Sequence, residues 1–280
     1  MDVKYINSYG EELILTKWPY IMPIESLFDY EWEQEAVNTG GKGGRILKFR
    51  RSVTEIYVEI AIHAHTYSDF QDALNQFFSA TEKDVLSKSP GRLELPDGQY
   101  LTCYITGSKN TLWSRGTPAN IKNAKIVTEY PFWCKDVQTE YRSDNTSSES
   151  GYEFLDYPYD YPYDYAPNTT GQFLDNDFFG SCDFEMRIFG PATNPKVIIG
   201  NMPYEVKTTV YLDEFLVINS RERTVIRYKP DGTRVNEFNN KVGNIFEPIP
   251  PGKHFLEKGS IAALDVILYQ ERSEPRWNLG

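Results

Sequence analysis

Cysteine and histidine are the residues that most often carry nucleophilic or metal chemistry, and the chain contains three of each. Cys103, Cys134 and Cys182 lie far apart in the sequence and form no Cys-x-x-Cys pair, so their spacing favours neither a disulfide framework nor a zinc site. A cysteine with His254 as its base is the one nucleophilic pair that this composition permits, and nothing in the sequence brings the two together. We therefore expect reduced thiols of the kind found in cytosolic proteins.

His63 and His65 lie two positions apart in an alternating stretch, so they share one face of a predicted strand. With a third ligand the pair could bind a metal, but the remaining histidine, His254, lies in the other half of the chain and no carboxylate motif stands beside the pair. Histidines of a surface or an interface are the simpler interpretation. We expect no metal site and no cofactor.

Other catalytic motifs are missing from the sequence. It contains no Gly-x-Ser-x-Gly and no His-Glu-x-x-His. The glycine-rich tract at residues 38–44 lacks the Gly-Lys-Ser/Thr ending of a phosphate loop, and the residues that follow resemble a strand, so we predict a mobile hairpin tip. Acids are plentiful and a glycosidase pair stays open as an alternative, but without an activating group nearby we expect no enzyme.

The net charge of −11 comes from 29 basic and 40 acidic residues, and two segments carry most of it. Residues 141–180 hold one base and eight acids, and residues 25–35 hold five acids and no base. Because affinity for phosphates requires clustered Lys and Arg, we expect no binding of nucleic acid. No run of eighteen apolar residues and no basic, then apolar, leader is present, so we expect neither a membrane span nor an export signal.

The segment 152–165 contains a Tyr-Pro-Tyr-Asp unit twice, back to back. Pro158 and Pro162 remove two backbone donors and favour an extended, polyproline-like chain. The polar tract at residues 143–151 that precedes it predicts a disordered linker. Tyrosine rings are costly to leave in water, so we expect them to pack on a neighbouring surface. The tyrosines concerned are Tyr157, Tyr159, Tyr161, Tyr163 and Tyr165.

This linker divides the chain into a first domain at residues 1–140, a linker at 141–180 and a second domain at 181–280. In the first domain, residues 54–65 alternate as in a long, half-buried strand. A capping box at Ser68 and helically spaced apolar residues from Phe70 to Phe78 predict one amphipathic helix. The apolar face of the predicted strand consists of Ile56, Val58, Ile60 and Ile62.

Two further patterns complete the first domain. Pro96-Asp97-Gly98 predicts the tight turn of a hairpin, because proline fixes φ and glycine supplies a positive φ. Residues 18–35 are rich in aromatic side chains and acids but show no clean period, which is typical of an extended arm. The arm could lie along a neighbouring copy or pack within its own domain, and the sequence favours neither.

The second domain shows strand and turn patterns throughout and no helical period. Short apolar stretches alternate with turn signals such as Gly190-Pro191, Pro230-Asp-Gly232 and Pro250-Pro-Gly252. Strands at this spacing predict a β-sandwich.

The order of these motifs resembles the distal tail protein (Dit) family of long-tailed phages. In the first domain the resemblance rests on the hairpin at residues 91–100, the Glu129-Tyr-Pro-Phe-Trp133 segment and the Tyr-Pro-Tyr-Asp run. In the second it rests on residues 189–195, on residues 229–238 and on the segment from Glu271 to Trp277. Together these motifs span nearly the whole chain.

The resemblance implies an α+β, mostly β, ring-forming domain followed by an all-β, galectin-like sandwich. It further implies a structural protein of the virion, assembled in the host cytoplasm as a homo-hexameric ring through whose lumen DNA passes. Its implied partners are the tail tube protein, a tail-tip or tail-associated protein, and receptor-binding or other baseplate proteins. We expect a ring interface built from Trp18, Tyr20, Trp32, Ile56, Val58 and Ile60.

Carbohydrate or receptor binding through the sandwich is the alternative function. Galectins stack a sugar on a tryptophan, but Trp277 is the one tryptophan after Trp133 and the galectin Trp-Gly pair is missing. Asn194-Pro195-Lys196 is at best a partial match to the galectin Asn-Pro-Arg. Trp277 is therefore the candidate sugar contact of this weaker alternative.

Overall fold

A computed structural model describes residues 2–38, 40–113, 116–142 and 172–276. Its contacts divide the chain into two compact units, Met1–Lys135 with Glu271–Gly280, and Asp136–Gln270. The expected boundaries differ from this division at both ends. Residues 136–142 and 172–180 belong to the second unit, and residues 271–276 belong to the first.

The first unit is built from antiparallel strands and one long helix. A short 3-10 turn, Glu25–Leu27, precedes its fourth strand. In the described residues its elements are β1 (Lys4–Ile6), β2 (Glu12–Ile14), β3 (Tyr20–Ile21), β4 (Glu33–Asn38), β5 (Gly44–Arg50), β6 (Thr54–His63), α1 (Tyr67–Ser87), β7 (Gly91–Glu94), β8 (Tyr100–Trp113), β9 (Ala119–Thr128) and the start of β10 (Trp133–Arg142).

The long strand β8 joins two branches of the sheet. Its first residues pair with β7, which leads to β1 and β2. The rest of β8 pairs with β9, which pairs with β6, and β6 in turn pairs with β3. Gly98 has a φ of 81° in the turn between β7 and β8, which confirms the predicted hairpin. Strand β6 alternates as predicted, with Val58, Ile60 and Ile62 buried.

Helix α1 packs its apolar stripe against this sheet. Its cap is Thr66, two residues before the predicted cap at Ser68, and the Thr66 hydroxyl accepts a hydrogen bond from the Asp69 amide at 3.1 Å. Phe70 and Phe77 are fully buried on its inner face. Among the described residues, no helix combines the length and the apolar character needed to cross a bilayer.

A buried hydrogen-bond network ties α1 to the first hairpin. Asp84, on the last turns of the helix, accepts hydrogen bonds from the Tyr5 hydroxyl at 2.5 Å and from the Ser8 hydroxyl at 2.7 Å. Burial raises the pKa of Tyr5, and its hydrogen bond to Asp84 raises it further. Both effects favour the protonated hydroxyl that donates to Asp84.

In the described residues the second unit is entirely β apart from one 3-10 turn, Phe238–Asn240, as the sequence predicts. Its further strands are β11 (Gln172–Asn176), β12 (Asp183–Phe189), β13 (Ala192–Thr193), β14 (Lys196–Ile199), β15 (Met202–Val206), β16 (Thr209–Val210), β17 (Phe215–Asn219), β18 (Thr224–Tyr228), β19 (Arg234–Asn236), β20 (Lys241–Val242), β21 (Gly252–Glu257) and β22 (Ala263–Arg272).

Most of these strands form two antiparallel sheets around one core, and β13 pairs with β16 in a separate two-stranded sheet. The first sheet runs in the order β19, β18, β17, β12, β22 and β10, and the second in the order β11, β21, β14, β15 and β20. Phe184 of the first sheet and Tyr204 of the second meet edge to face in this core, with ring centroids 5.1 Å apart. Both side chains are almost fully buried.

A cluster of three charged side chains stabilises the second unit. Arg227 donates to Glu214 at 2.8 Å and to Glu237 at 2.9 Å, and all three side chains are largely buried. Burial alone would raise the pKa of both glutamates, but hydrogen bonds outweigh it and the pKa of each is lowered. Those bonds come from the Tyr211 amide and Arg227 for Glu214, and from Arg227 and Asn240 for Glu237.

The second unit is expected to lose stability in acid through this cluster. A lowered folded-state pKa stabilises the fold above the unfolded pKa, near 4.5 for glutamate, and this stability is lost as the pH falls through the folded value. The free energy of unfolding in urea should fall between pH 6 and pH 3. The fall should be smaller in Glu214→Gln, which has one titrating group fewer. Equal slopes for both proteins would contradict this assignment.

Candidate assembly surfaces

The three cysteines are core residues of their units. All three are buried, and burial raises the pKa of the Cys103 thiol to about 12. Cys103 and Cys134 belong to the first unit and His254 to the second, where its ring Nε2 lies 2.9 Å from the Pro250 carbonyl oxygen. Cys103 is therefore a neutral core residue rather than a nucleophile.

His63 and His65 lie beside one exposed tryptophan. The ring centroid of Trp18 is 6.5 Å from that of His63 and 4.9 Å from that of His65. Within the described ranges, no group of three or more metal-binding side chains converges. The two histidines and Trp18 form a surface cluster.

The residues expected at the ring interface fall into two groups. Tyr20, Val58 and Ile60 are core residues, and the Tyr20 hydroxyl donates to the Ala73 carbonyl oxygen at 2.8 Å. The prediction that these three side chains lie at an interface is therefore corrected. A side chain that is buried in the core with α1 cannot also contact another copy of the chain. Trp18 and Trp32 are 53% and 40% exposed.

Ile56 is intermediate between these groups. It lies on the inward face of β6, near the start of the strand, and is only partly buried against the core. Ile56 thus extends the core and does not present a full side chain to solvent.

Strands β4 and β5 form a two-stranded arm, residues 33–50, that pairs with no other strand of the described chain. Every described residue in both strands is exposed. On one face the charges pair across the strands, Arg50 with Glu33 at 3.1 Å and Lys48 with Glu35 at 2.9 Å. The charged side chains of this face are therefore paired within the arm and need no partner from another chain.

The other face of the arm is apolar. The cross-strand register places Phe49 opposite Gln34 and Ile46 opposite Ala36, and a bulge between these pairs accommodates Leu47. Ile46, Leu47 and Phe49 are each more than half exposed. Large apolar side chains grouped on an isolated hairpin mark a surface that is buried by a partner.

An arginine packed among aromatic rings holds the base of the arm. The Arg51 guanidinium carbon lies 5.0 Å from the ring centroid of Phe132 and 6.0 Å from that of Trp32. Trp32 and Phe132 meet edge to face at 5.8 Å. Because Trp32 precedes β4 and Arg51 follows β5, these contacts fix both ends of the arm to the unit.

Strand β6 leaves part of one edge open. Strand β9 pairs with it from Thr54 to His63, but on the opposite side β3 covers only Ala61 and Ile62. Within the described residues, no strand pairs with positions 54–60 along that side. An open edge presents unpaired backbone groups that can add a strand from another chain.

An aromatic row crosses the outer face of the first sheet of the second unit. It consists of Phe189, Phe215 and Tyr228, on β12, β17 and β18. Successive ring centroids are 6.0 Å and 4.9 Å apart, and the last pair is nearly parallel at 9°. The guanidinium groups of Arg142 and Arg234 lie 5.6 Å and 5.5 Å from the rings at the two ends.

This row bears on the carbohydrate alternative. A sugar stacks on a free ring face, but here Phe215 and Tyr228 stack on each other and arginines lie over Phe189 and Tyr228 at the two ends. The ring faces in these contacts are not available to a sugar. Trp277 lies outside the described residues, as do Tyr157, Tyr159, Tyr161, Tyr163 and Tyr165.

Sequence reasoning missed the open face of the arm and the aromatic row. A signal for the first exists, because Ile46-Leu47-Lys48-Phe49 does not alternate and cannot place all its apolar residues in a core. The row has no comparable signal, since its three rings come from strands that meet only after folding.

No protein-family model matches the chain, and no curated protein sequence matches it. Several solved structures, however, have a similar fold. The SPP1 Dit protein, described as a paradigm of the hub adsorption apparatus in phages that infect Gram-positive bacteria, has a TM-score of 0.60 at 10% identity over 97% of this chain and 98% of its own.

Two structures of the phage P2 baseplate in its activated conformation agree. A chain of the calcium form has a TM-score of 0.62 at 12% identity, and a chain of the strontium form 0.61 at 11% identity. Each alignment covers 98% of this chain and 99% of the other. The chain therefore has the Dit-like fold of phage distal tail and baseplate proteins along nearly its whole length.

Proposed function

We propose that the chain is a distal tail protein that assembles as a ring of six copies between the tail tube and the baseplate or tail tip of a phage. The observation that carries the proposal is the arm. Its charged face is neutralised by its own ion pairs, and its apolar face, with Ile46 and Phe49, is open. Exposed apolar surface of this kind is stabilised when another chain covers it.

A closed ring accounts for the arm and for the open edge of β6 together. If each arm lies on the next copy, a rotation that closes leaves no arm without a neighbour. The edge at residues 54–60 supplies backbone donors and acceptors on the same unit. The first unit is therefore the ring-forming part.

The second unit has a different role in this proposal. With two sheets around its own core, it is stable without a neighbour and is displayed outside the ring as a galectin-like domain. There it would contact a tail-tip or tail-associated protein and receptor-binding or other baseplate proteins. The role is structural rather than enzymatic, and the place of the protein is the virion tail after assembly in the host cytoplasm.

Negative-stain electron microscopy tests the proposal. The purified chain, alone and mixed with the tail tube protein of the same phage, should give hollow rings with six-fold symmetry. Isolated particles in both samples, or rings of another order, would overturn it.

The protein is expected not to retain duplex DNA at physiological salt. Binding to phosphates needs clustered Lys and Arg, whereas the acids at residues 25–35 and 141–180 give these segments negative charge. Non-specific affinity of even about 10⁻⁴ to 10⁻⁶ M at many sites would retard a genome that passes through the lumen. A gel shift at low micromolar protein that weakens with added salt would contradict this expectation.

A further inference from the structure

A small cavity in the first unit lies beside the base of the arm. Its lining includes the apolar Leu27 and Trp133 and the polar Asp29, Arg51, Thr128 and Ser273. Its volume is about 10 Å³, which is roughly the room that one water molecule needs. The cavity can therefore hold a single small particle and nothing as large as a metabolite.

Arg51 supplies the positive charge of this cavity. Its Nε and Nη1 atoms are buried, and neither makes a hydrogen bond within the described chain. The guanidinium carbon lies 5.8, 6.0 and 5.0 Å from the ring centroids of Tyr30, Trp32 and Phe132. These rings attract the cation but do not neutralise it. Burial lowers the pKa of the Arg51 guanidinium, as expected where a cation leaves water with too little negative charge beside it.

Thr128 supplies a further donor to the same cavity. The residue lies on β9 with no exposed surface, and its hydroxyl has no hydrogen-bond partner among the described residues. Folded proteins leave few buried polar atoms in this condition, because each one costs stability unless a partner satisfies it. Arg51 and Thr128 thus bring N–H and O–H donors to a space that has room for one acceptor.

The balance of donors and acceptors in the cavity favours an anion over a water molecule. The N–H groups of arginine only donate, whereas a water molecule must also donate its own hydrogens to acceptors. Asp29 is the acid in the lining, and it is exposed and therefore hydrated. An anion accepts from all the unpaired donors and also offsets the buried charge of Arg51.

We propose that this cavity binds one chloride-sized anion between the Arg51 guanidinium and the Thr128 hydroxyl. Its volume excludes acetate, sulfate and gluconate, each of which has several heavy atoms. Because Arg51 directly follows β5, the bound anion also stabilises the base of the arm.

Thermal unfolding of the full chain, followed by tryptophan fluorescence, tests this proposal. Trp133 lines the cavity and Trp32 lies beside Arg51, so the signal reports the unit that contains the site. Sodium chloride replaces sodium gluconate at constant ionic strength, so general screening is unchanged. With chloride at about fifteen times its dissociation constant, the folding equilibrium gains a factor of about sixteen, and the midpoint should rise by roughly 5 °C. Sodium acetate should give no rise.

Four variants assign the response to the cavity. Arg51→Gln should abolish the chloride response. Thr128→Val keeps the shape of the side chain but removes the donor, and it should weaken chloride binding about tenfold, as expected for the loss of a hydrogen bond to a charged group. Asp29→Asn removes a repelling charge from the lining and should strengthen binding about threefold. Arg50→Gln is the matched control, because Arg50 is exposed and pairs with Glu33 on the arm, and it should leave the response unchanged.

The chloride response of each variant is compared with its own midpoint in gluconate, so a change in basal stability does not obscure the result. Equal midpoints of the unchanged chain in chloride and gluconate would overturn the proposal and leave water as the occupant of the cavity. A response that Thr128→Val retains in full, or one that acetate reproduces, would overturn it as well.

Discussion

Gly190→Ala is expected to destabilise the second unit severely. A Cβ atom at this position would lie 1.9 Å from the carbonyl oxygen of Tyr211 and 3.0 Å from that of Val210. Both are backbone atoms, so no side chain can rotate to make room. The Gly190 amide also donates to the Glu214 carbonyl oxygen at 2.9 Å, which holds the two segments together. Overpacking usually costs about 1–3 kcal/mol, and a contact this short against backbone places the cost at or above the upper value.

Calorimetry combined with tryptophan fluorescence measures this effect in the unit concerned. The four tryptophans of the described chain, at positions 18, 32, 113 and 133, belong to the first unit, so their fluorescence reports its unfolding. A loss of about 3 kcal/mol should lower the midpoint of the other transition by about 10 °C and leave the fluorescence transition in place.

Gly180→Ala is the matched control for this change. A Cβ at Gly180 would meet nothing nearer than 3.7 Å, which is ordinary contact with the Phe178 ring. Its midpoint should stay close to that of the unchanged chain. Equal midpoints for Gly190→Ala and the control would show that residues 211 and 190 are not held together as the structure has them.

Local patterns in the sequence predicted the elements of the fold well. The alternation of β6, the turn at Gly98 and the apolar stripe of α1 each depend on neighbours within a few residues, and each is present. The helix start was misplaced because Thr66 and Ser68 are both good caps. Only the extended backbone of Thr66, with φ −118° and ψ 159°, selects it.

The division into units could not be predicted from composition. Strands β10 and β22 each run from one unit into the other, at residues 135–136 and 270–271, with no linker and no change in residue type at the crossing. The acidic segment suggested a boundary at 141–180, but Leu174 within it is fully buried in the core of the second unit. Residues 172–176 belong to the second unit because β11 pairs with β21, which is about 80 residues away in the sequence. A local sequence pattern cannot show such a pairing.

The burial of three of the expected interface residues, Tyr20, Val58 and Ile60, could not be predicted for the same reason. Alternation shows that Val58 and Ile60 share a face, but not whether a helix of the same chain or a neighbouring copy covers it. Helix α1 covers it, since Phe70 and Phe77 belong to the same core. A group of exposed apolar residues lies on the arm, where a bulge and an irregular sequence hid the face that Ile46 and Phe49 share.

Replacing Ile46 and Phe49 with aspartate is expected to abolish the ring while leaving the fold intact. The two side chains are 52% and 59% exposed and contact no core, so their loss costs the single chain little. At an interface they would bury apolar area worth about 25 cal/mol per Å², and each aspartate would bring an unpaired charge into it. The loss of assembly should exceed a hundredfold in affinity, or about 2.7 kcal/mol.

Light scattering and microscopy on this double variant show whether the apolar face of the arm binds another copy or takes no part in assembly. Glu35→Gln, on the charged face of the same arm, is the matched control, because an exposed ion pair contributes at most about 1 kcal/mol and its loss should leave rings intact. Unchanged circular dichroism in both proteins would show that the arm alone has been altered. Rings formed by the double variant as readily as by the control would mean that the apolar face of the arm does not hold the copies together, and the open edge of β6 would have to do so alone.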